Sequence, residues 1–567
     1  MSGNTRGVQV ITRLLGAVTA AVTSFSLVTP AIAGPEATTA PGYPAPRLDF
    51  TAEERALAGV VAANPGVARF YGENGRQMIW SGSAEATARQ EALFDALSKA
   101  GAHGVPVSRY DVARLKRAVA ETRTSADRLR LETVLSQVFA AYVQDVSTGI
   151  LNPGAVDSGI KRAVPRKNVA NVLSDFAAAP DPGQTLAALV PTDSRYLALE
   201  DAMRRMTDGG MPADLPEVPA GTWRIGMQGP AVAALRARLV ALGLAADVPE
   251  PDVFDQGLAL AVMAYQKKAG LPEDGVAGPK TVNRLNGKAG AGPHLNAILV
   301  AMERMRWMNG LDLGERYVWV NLTEYNARII ENGQEVFKTR TVVGSTDDDR
   351  RTPEFSDMME YVVVNPRWNV PRSITIKEYL PRLQANRNAV SQLDVVDSRG
   401  RVIPRSQIDF GRYTASNFPY RMRQKPSDDN ALGIVKFIFP NPWNIYLHDT
   451  PTKSLFGNNV RAYSHGCIRV ADPRDLAAVL LSKQTPNPEA MFNKALATGR
   501  ETYLHLEPEV PVHLVYFTAF PNDAGQIQYF SDIYGRDARI YAALQAAAKP
   551  LPVIRQLDGV ETADATD

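Results

Sequence analysis

The sequence predicts a multidomain α+β protein: a helical scaffold, a small three-helix unit, and a β-sandwich carrying a long insertion. Three observations lead there. The chain has 567 residues, well beyond the roughly 250 to 300 at which one hydrophobic core stops growing. Its apolar periodicity is helical in the first half and strand-like in the second. Hydrophobic residues make up 45% and charged residues 22%, with Lys+Arg 62 against Asp+Glu 60, the profile of folded domains. A formal charge of +2 gives no electrostatic case for a nucleic-acid partner, which selects a clustered basic excess.

Taken in order, residues 1–33 read as a signal peptide. Arg6 and Arg13 precede an apolar run from Leu14 to Leu27, and Ala31-Ile32-Ala33 stands before Gly34, the order of an exported leader with its cleavage site. The run falls short of the roughly 20 residues that span a bilayer, so export without stable membrane insertion after signal cleavage is expected. Residues 34–47 are a Pro/Ala/Thr-rich linker. Residues 48–215 form the helical scaffold domain: Leu131, Leu135, Val138 and Tyr142 make one apolar face, Ser83 suits a helix N-cap, and Gly101 with Gly104 suits a stop. Residues 218–287 hold three short helices, with Val232, Leu235, Leu239 and Leu242 on one face and Gly243 after it. A connecting helix at 294–314 leads to a β domain at 315–548. There Asn332-Gly333 marks a hairpin between alternating strands, and many short strands suggest a sandwich or barrel. The polar stretch 371–430 is long for a connection and is expected to cap a cleft. Residues 549–567 are a tail.

The chain has one cysteine, Cys467, and six histidines. No internal disulfide and no multi-cysteine zinc site can form. Two histidines stand near that cysteine, in Tyr446-Leu447-His448-Asp449 and in Ser464-His465-Gly466-Cys467-Ile468-Arg469. A thiol is mostly protonated at neutral pH, and a nearby imidazole can take its proton and leave a thiolate. Gly466 lets the backbone approach a substrate, so amides near Cys467 can face a developing oxyanion. Tyr446, two residues before His448, shares its face on a strand. A metal held by His448, His465 and Cys467 lacks a fourth ligand and fits no common zinc spacing; no metal and no cofactor are expected. The pattern is that of acyl transfer.

These residues resemble the L,D-transpeptidases with a YkuD-type catalytic domain: an upstream His, a spacer, then S/T-H-G-C followed by an aliphatic and a polar residue. Arg469, Asn365-Pro366-Arg367-Trp368 and Asp532-Ile533-Tyr534-Gly535-Arg536-Asp537 are similar to the large Gram-negative YcbB-like subgroup. Gly226, Gly229, Val232 and Leu235, then Phe254-Asp255, Tyr265-Gln266, Asp274-Gly275 and Gly278 to Thr281, resemble the peptidoglycan-binding domain of cell-wall hydrolases. The resemblance implies a periplasmic enzyme that forms 3-3 peptidoglycan crosslinks through a Cys467 thioester, with a tetrapeptide stem as donor and a stem amine as acceptor. It implies His448 as the base, Tyr446, Gly466, Ser464 and His465 on the oxyanion and loop side, Arg469, Trp368 and Asn365 in substrate binding, and a carbapenem as a covalent inhibitor. The competing readings are an L,D-carboxypeptidase or endopeptidase with the same cysteine, and a non-enzymatic wall-binding scaffold.

Overall fold

The longest helix, Ser125–Ser147, starts where Thr124 and Asp127 exchange side-chain and backbone hydrogen bonds in a capping box, which satisfies donors that an open helix end leaves unpaired. Leu131, Leu135, Val138 and Tyr142 all enter one core together with Phe70, Trp80, Phe139 and Phe176. Ser83 accepts from the amide of Ala86 at the start of Ala84–Lys99, and Gly104, at φ 69°, closes the short turn after it. The computed structural model describes residues 57, 64–207, 215–269, 271–286 and 293–558. The expected signal peptide and linker lie outside them.

The small domain has helices Pro230–Ala241, Gln256–Ala269 and Pro279–Leu285 around Val232, Leu235, Leu239, Phe254, Leu258, Val262 and Val282. Its signature residues hold the fold itself. Asp255 caps the second helix at the Leu258 amide (2.7 Å) and takes Arg236 at 2.7 Å. Gln266 ties down the Asp274-Gly275 turn through Asp274 Oδ1 (2.7 Å) and the Gly275 amide (3.0 Å).

Twelve strands of the C-terminal half position the site: β1 Arg316–Asn321, β2 Asn326–Glu331, β3 Gln334–Gly344, β4 Phe355–Val364, β5 Trp368–Asn369, β6 Leu393–Val396, β7 Arg421–Gln424, β8 Val435–Ile438, β9 Leu447–His448, β10 Ala462–Ser464, β11 Ile468–Val470 and β12 Thr502–Val515. Of the sandwich and the barrel that short strands allow, the pairing gives a closed ladder. β1, β2, β3, β11, β9, β8, β4 and β12 pair in that order, and β12 returns to β1. The cause is strand length. β3 is long enough to pair β2 with its first half and β11 and β10 with its second, so the ladder closes through β3 while β10 lies along its end, paired on one side.

Period-2 alternation explains why β1 is buried on both sides. Val318 and Val320 enter the barrel core, whereas Tyr317 and Trp319 pack on Ile298, Met302, Met305 and Met308 of helix Pro293–Met308. That helix was expected as a connector, yet it is a buried wedge. Its other face carries Glu303, which accepts from the Leu151 amide (2.8 Å) and from Trp307 Nε1 (3.0 Å) and pairs with Arg306 (2.8 Å).

The insertion after β4 forms its own three-stranded sheet, ordered β5-β7-β6, over a private core of Val370, Leu380, Leu393, Val395, Phe410, Phe418 and Met422. The expected tail does not hang free at its start. Leu551 and Ile554 are buried in the helical domain's core, and the Leu551 amide donates to the Arg109 carbonyl at 2.9 Å; two apolar side chains spaced for one helical turn are better sequestered than solvated.

Candidate active site

β9 and β11 lie side by side and parallel, with Leu447 opposite Ile468 and His448 opposite Arg469. Alternation sends the fully buried Leu447 and Ile468 into the barrel core and turns Tyr446, His448, Cys467 and Arg469 together into a cleft of about 890 Å³. Four chemistry-bearing side chains thus share one face because of strand periodicity and one parallel register. Trp368, Ile374 and Tyr379 of the inserted cap line the same cleft.

Cys467 is half-buried. Its Sγ donates to the Asn444 carbonyl at 3.5 Å, and Tyr446 beside it acts to lower the thiol's pKa. The Tyr446 ring meets His448 edge-on at 5.7 Å between centroids. His448 Nδ1 stands 2.5 Å from the Asp449 carbonyl oxygen, so Nδ1–H donates there and Nε2 keeps its lone pair. Asp449 is fixed in turn: its carboxylate accepts from the amides of Ile434 (3.0 Å) and Thr450 (2.7 Å) and from Lys453 Nζ (2.6 Å). A Cβ at Gly433, at φ 58°, would collide with that carboxylate.

The electrostatics change the expected resting state. Burial pushes the Cys467 thiol up to about 11, against lowering by the neighbouring Tyr446 and the Arg469 charge. Burial and then Arg469 push the His448 imidazole down to about 3. Both groups are therefore neutral at pH 7, and the thiolate that a nearby imidazole was expected to leave does not form at rest. Arg469 forms no ion pair among the described residues, and its Nε is buried without a hydrogen bond.

The loop that carries the cysteine is held by its own polar groups. Ser464 Oγ accepts from the Gly466 amide (3.1 Å) and donates to the Cys467 carbonyl (2.5 Å). Gly466 sits at φ 111°, a conformation open to glycine and costly for other residues. His465 turns away from the thiol: its Nε2 lies 2.6 Å from Glu378 Oε1 of the cap, which also takes Arg350 at 3.0 Å. It therefore cannot join His448 and Cys467 around a metal in this arrangement. Among the described residues no group of three or more His, Cys, Asp or Glu stands close enough to hold one.

Asn365, expected in substrate binding, is not part of the cleft lining. Its Nδ2 faces the carbonyls of Ala495 (3.2 Å), Leu496 (3.0 Å) and Arg500 (3.3 Å) at the end of helix Pro488–Ala497, and its φ of 51° suits an asparagine. No sequence motif marks Glu378, Arg350 or Asn444. They lie in the cap or in turns, and no local pattern announces a side chain that acts across the fold.

Comparison with known proteins places names on this geometry. Residues 315–488 match the profile described as the L,D-transpeptidase catalytic domain, YkuD. The chain carries a YkuD-type L,D-transpeptidase catalytic domain. Residues 228–285 match the "Putative peptidoglycan binding domain" and residues 65–203 a "Scaffold domain". A "Putative L,D-transpeptidase" of Haemophilus influenzae (strain ATCC 51907 / DSM 11121 / KW20 / Rd) is 36% identical over 228 residues, 40% of this chain and 45% of that relative. The match therefore takes in less than half of the relative's length. Among solved structures, an L,D-transpeptidase from Xylanimonas cellulosilytica DSM 15894 is 16% identical with a TM-score of 0.13, covering 53% of this chain and 98% of its own. One from Stackebrandtia nassauensis is 14% identical with a TM-score of 0.15, covering 55% and 99%. No helix among the described residues is long and apolar enough to cross a membrane.

Proposed function

We propose that this L,D-transpeptidase domain works in the periplasm, after export by the signal peptide, and joins peptidoglycan stems by acyl transfer through Cys467. The observation that carries the reading is the shared cleft face of Tyr446, His448, Cys467 and Arg469, with the Nδ1 of His448 already committed to a carbonyl. Donor attack begins when the thiol leaves the Asn444 carbonyl and turns toward Nε2. As sulfur bonds to the carbonyl carbon of the stem's third residue, His448 takes the thiol proton. The oxyanion is stabilised by the Tyr446 hydroxyl and loop amides. Collapse expels D-Ala, whose nitrogen takes the proton from His448, and a thioester remains. An amine of a second stem then attacks; His448 takes its proton and returns it to the departing sulfur, leaving a 3-3 crosslink. Arg469, a half-buried cation without an acidic partner among the described residues, suits a carboxylate of the peptide, and Trp368 and Tyr379 offer apolar surface under the cap. The small helical domain supplies affinity for the wall. The YcbB-like arrangement of signal, scaffold, wall-binding domain and capped catalytic domain belongs to the same reading.

The test incubates purified protein with disaccharide-tetrapeptide and reads products by mass spectrometry. Crosslinked dimers with released D-Ala support transfer; tripeptide monomers alone make the protein a carboxypeptidase. Cys467→Ala should fold and form neither product nor a carbapenem adduct. Turnover surviving that substitution refutes the cysteine mechanism. Deleting 218–287 should weaken co-sedimentation with sacculi, and unchanged sedimentation removes the wall-binding role.

A further inference from the structure

We propose that Thr352 is the positioning residue that aims the Cys467 amide at the developing oxyanion, a role that rests on the acyl-transfer reading above. Thr352 is fully buried between β3 and β4. Its hydroxyl donates to the Gly466 carbonyl at 2.8 Å and accepts from the Gly344 amide at 2.9 Å. Its own amide donates to the Tyr534 hydroxyl (3.3 Å), and its carbonyl accepts from Arg536 Nη2 (3.0 Å). The Tyr534 hydroxyl donates onward to the Gly344 carbonyl at 2.7 Å. Every polar group of this threonine is therefore bonded within the protein, and the residue has no freedom to turn.

The consequence lies in peptide geometry. The Gly466–Cys467 bond is trans, the one cis bond among the described residues being Glu507–Pro508, so its carbonyl and N–H point in opposite directions. Anchoring the Gly466 carbonyl on Thr352 in the barrel wall turns the Cys467 N–H to the other side, toward the cleft. Among the described residues that N–H donates to no backbone or side-chain acceptor. A backbone donor left open beside a nucleophile costs stability unless something fills it, and a tetrahedral oxyanion formed on Sγ is within its reach. Glycine at 466 would by itself allow this peptide plane to rotate; Thr352 removes that freedom.

Thr352 is braced from the helical half. The Lys161 amide donates to the Glu354 carbonyl (2.8 Å), and the Glu354 amide donates to the Gly159 carbonyl (2.9 Å). Arg536 joins Thr352 to the Glu354 carboxylate at 3.0 Å. A Cβ at Gly159 would press on the Arg536 guanidinium at 2.5 Å, so the segment from Gly159 to Lys161 fits against the arginine that holds Thr352.

The test compares two reactions of one thiol. Iodoacetamide alkylates Cys467 without forming an oxyanion, whereas a carbapenem acylates it through one. Thr352→Val keeps the shape and deletes the hydroxyl. Acylation should fall on the order of tenfold or more, short of the roughly 10²- to 10³-fold loss that follows removal of a whole oxyanion donor, with alkylation unchanged. Thr352→Ser should restore acylation. Should Thr352→Val fail to fold, Tyr534→Phe, which loosens Thr352 through its backbone, should slow acylation alone. Acylation at the wild-type rate in these variants, a parallel fall in alkylation, or no rescue by serine overturns the proposal. A wild-type protein that is alkylated but never acylated would instead refute the acyl-transfer reading itself.

Discussion

Between pH 7 and 10 the reactivity of Cys467 toward iodoacetamide should rise about tenfold per pH unit, without a plateau. The magnitude follows from the site. A thiol near 11 is ionised to only about one part in 10⁴ at pH 7, and that fraction grows tenfold with each unit. An imidazole near 3 stays neutral throughout, so it contributes no resting ion pair. In this structure the thiol bonds to Asn444 rather than to His448. His448→Ala should therefore leave the alkylation profile almost unchanged. The same substitution should slow acylation by a carbapenem on the order of 10²- to 10⁴-fold, since the base then has to take the proton as the S–C bond forms. The assay is a stopped alkylation series followed by intact mass, run beside acylation on both proteins. A flat alkylation rate from pH 6 to 8, or a steep drop in alkylation in His448→Ala, would mean a thiolate–imidazolium pair exists at rest and would refute the neutral-pair argument.

Glu378→Gln removes the charge that faces His465 and Arg350; amide exchange across the cap helix near 372–385 should quicken by about threefold or more and the donor KM should rise, with alkylation unchanged, and identical exchange would show that this contact does not hold the cap. Asn365→Ala leaves three carbonyl acceptors without their donor and puts alanine at a left-handed φ. It should cost about 1 to 3 kcal/mol in denaturant unfolding with no change in acylation per folded molecule, and a selective loss of acylation would return Asn365 to the substrate site. His513 is buried, takes Ser356 at 2.8 Å and Leu313 at 3.1 Å, and is pushed by burial down to about 4. The unfolded chain binds the extra proton between about 4 and 6.5, so its contribution is complete above pH 6.5 and is lost as pH falls toward 4, on the order of 3 kcal/mol. His513→Gln should flatten the pH dependence of unfolding across that window, and an equal slope in both proteins would count against it.

What the sequence determined by itself was whatever depends on neighbours along the chain. Helical periodicity marked Leu131, Leu135, Val138 and Tyr142 as one core face, and they are one. A strand period of two put Tyr446 and His448 on the same side, where both line the cleft. The lone cysteine after Ser-His-Gly is legible because its chemistry is local and its company unusual. The tertiary structure decided what depends on contacts between distant segments. Alternation says which residues face a core but not which strand is next, so the closed ladder through β3 and the parallel register of β9 with β11 could not be read in advance. The engagement of His465 with Glu378, of Asn365 with a helix end and of Thr352 with Gly466 joins positions from 87 to 135 residues apart. The neutral state of the thiol and imidazole was also hidden, because desolvation is set by everything that packs around a group and not by the residues beside it in the chain.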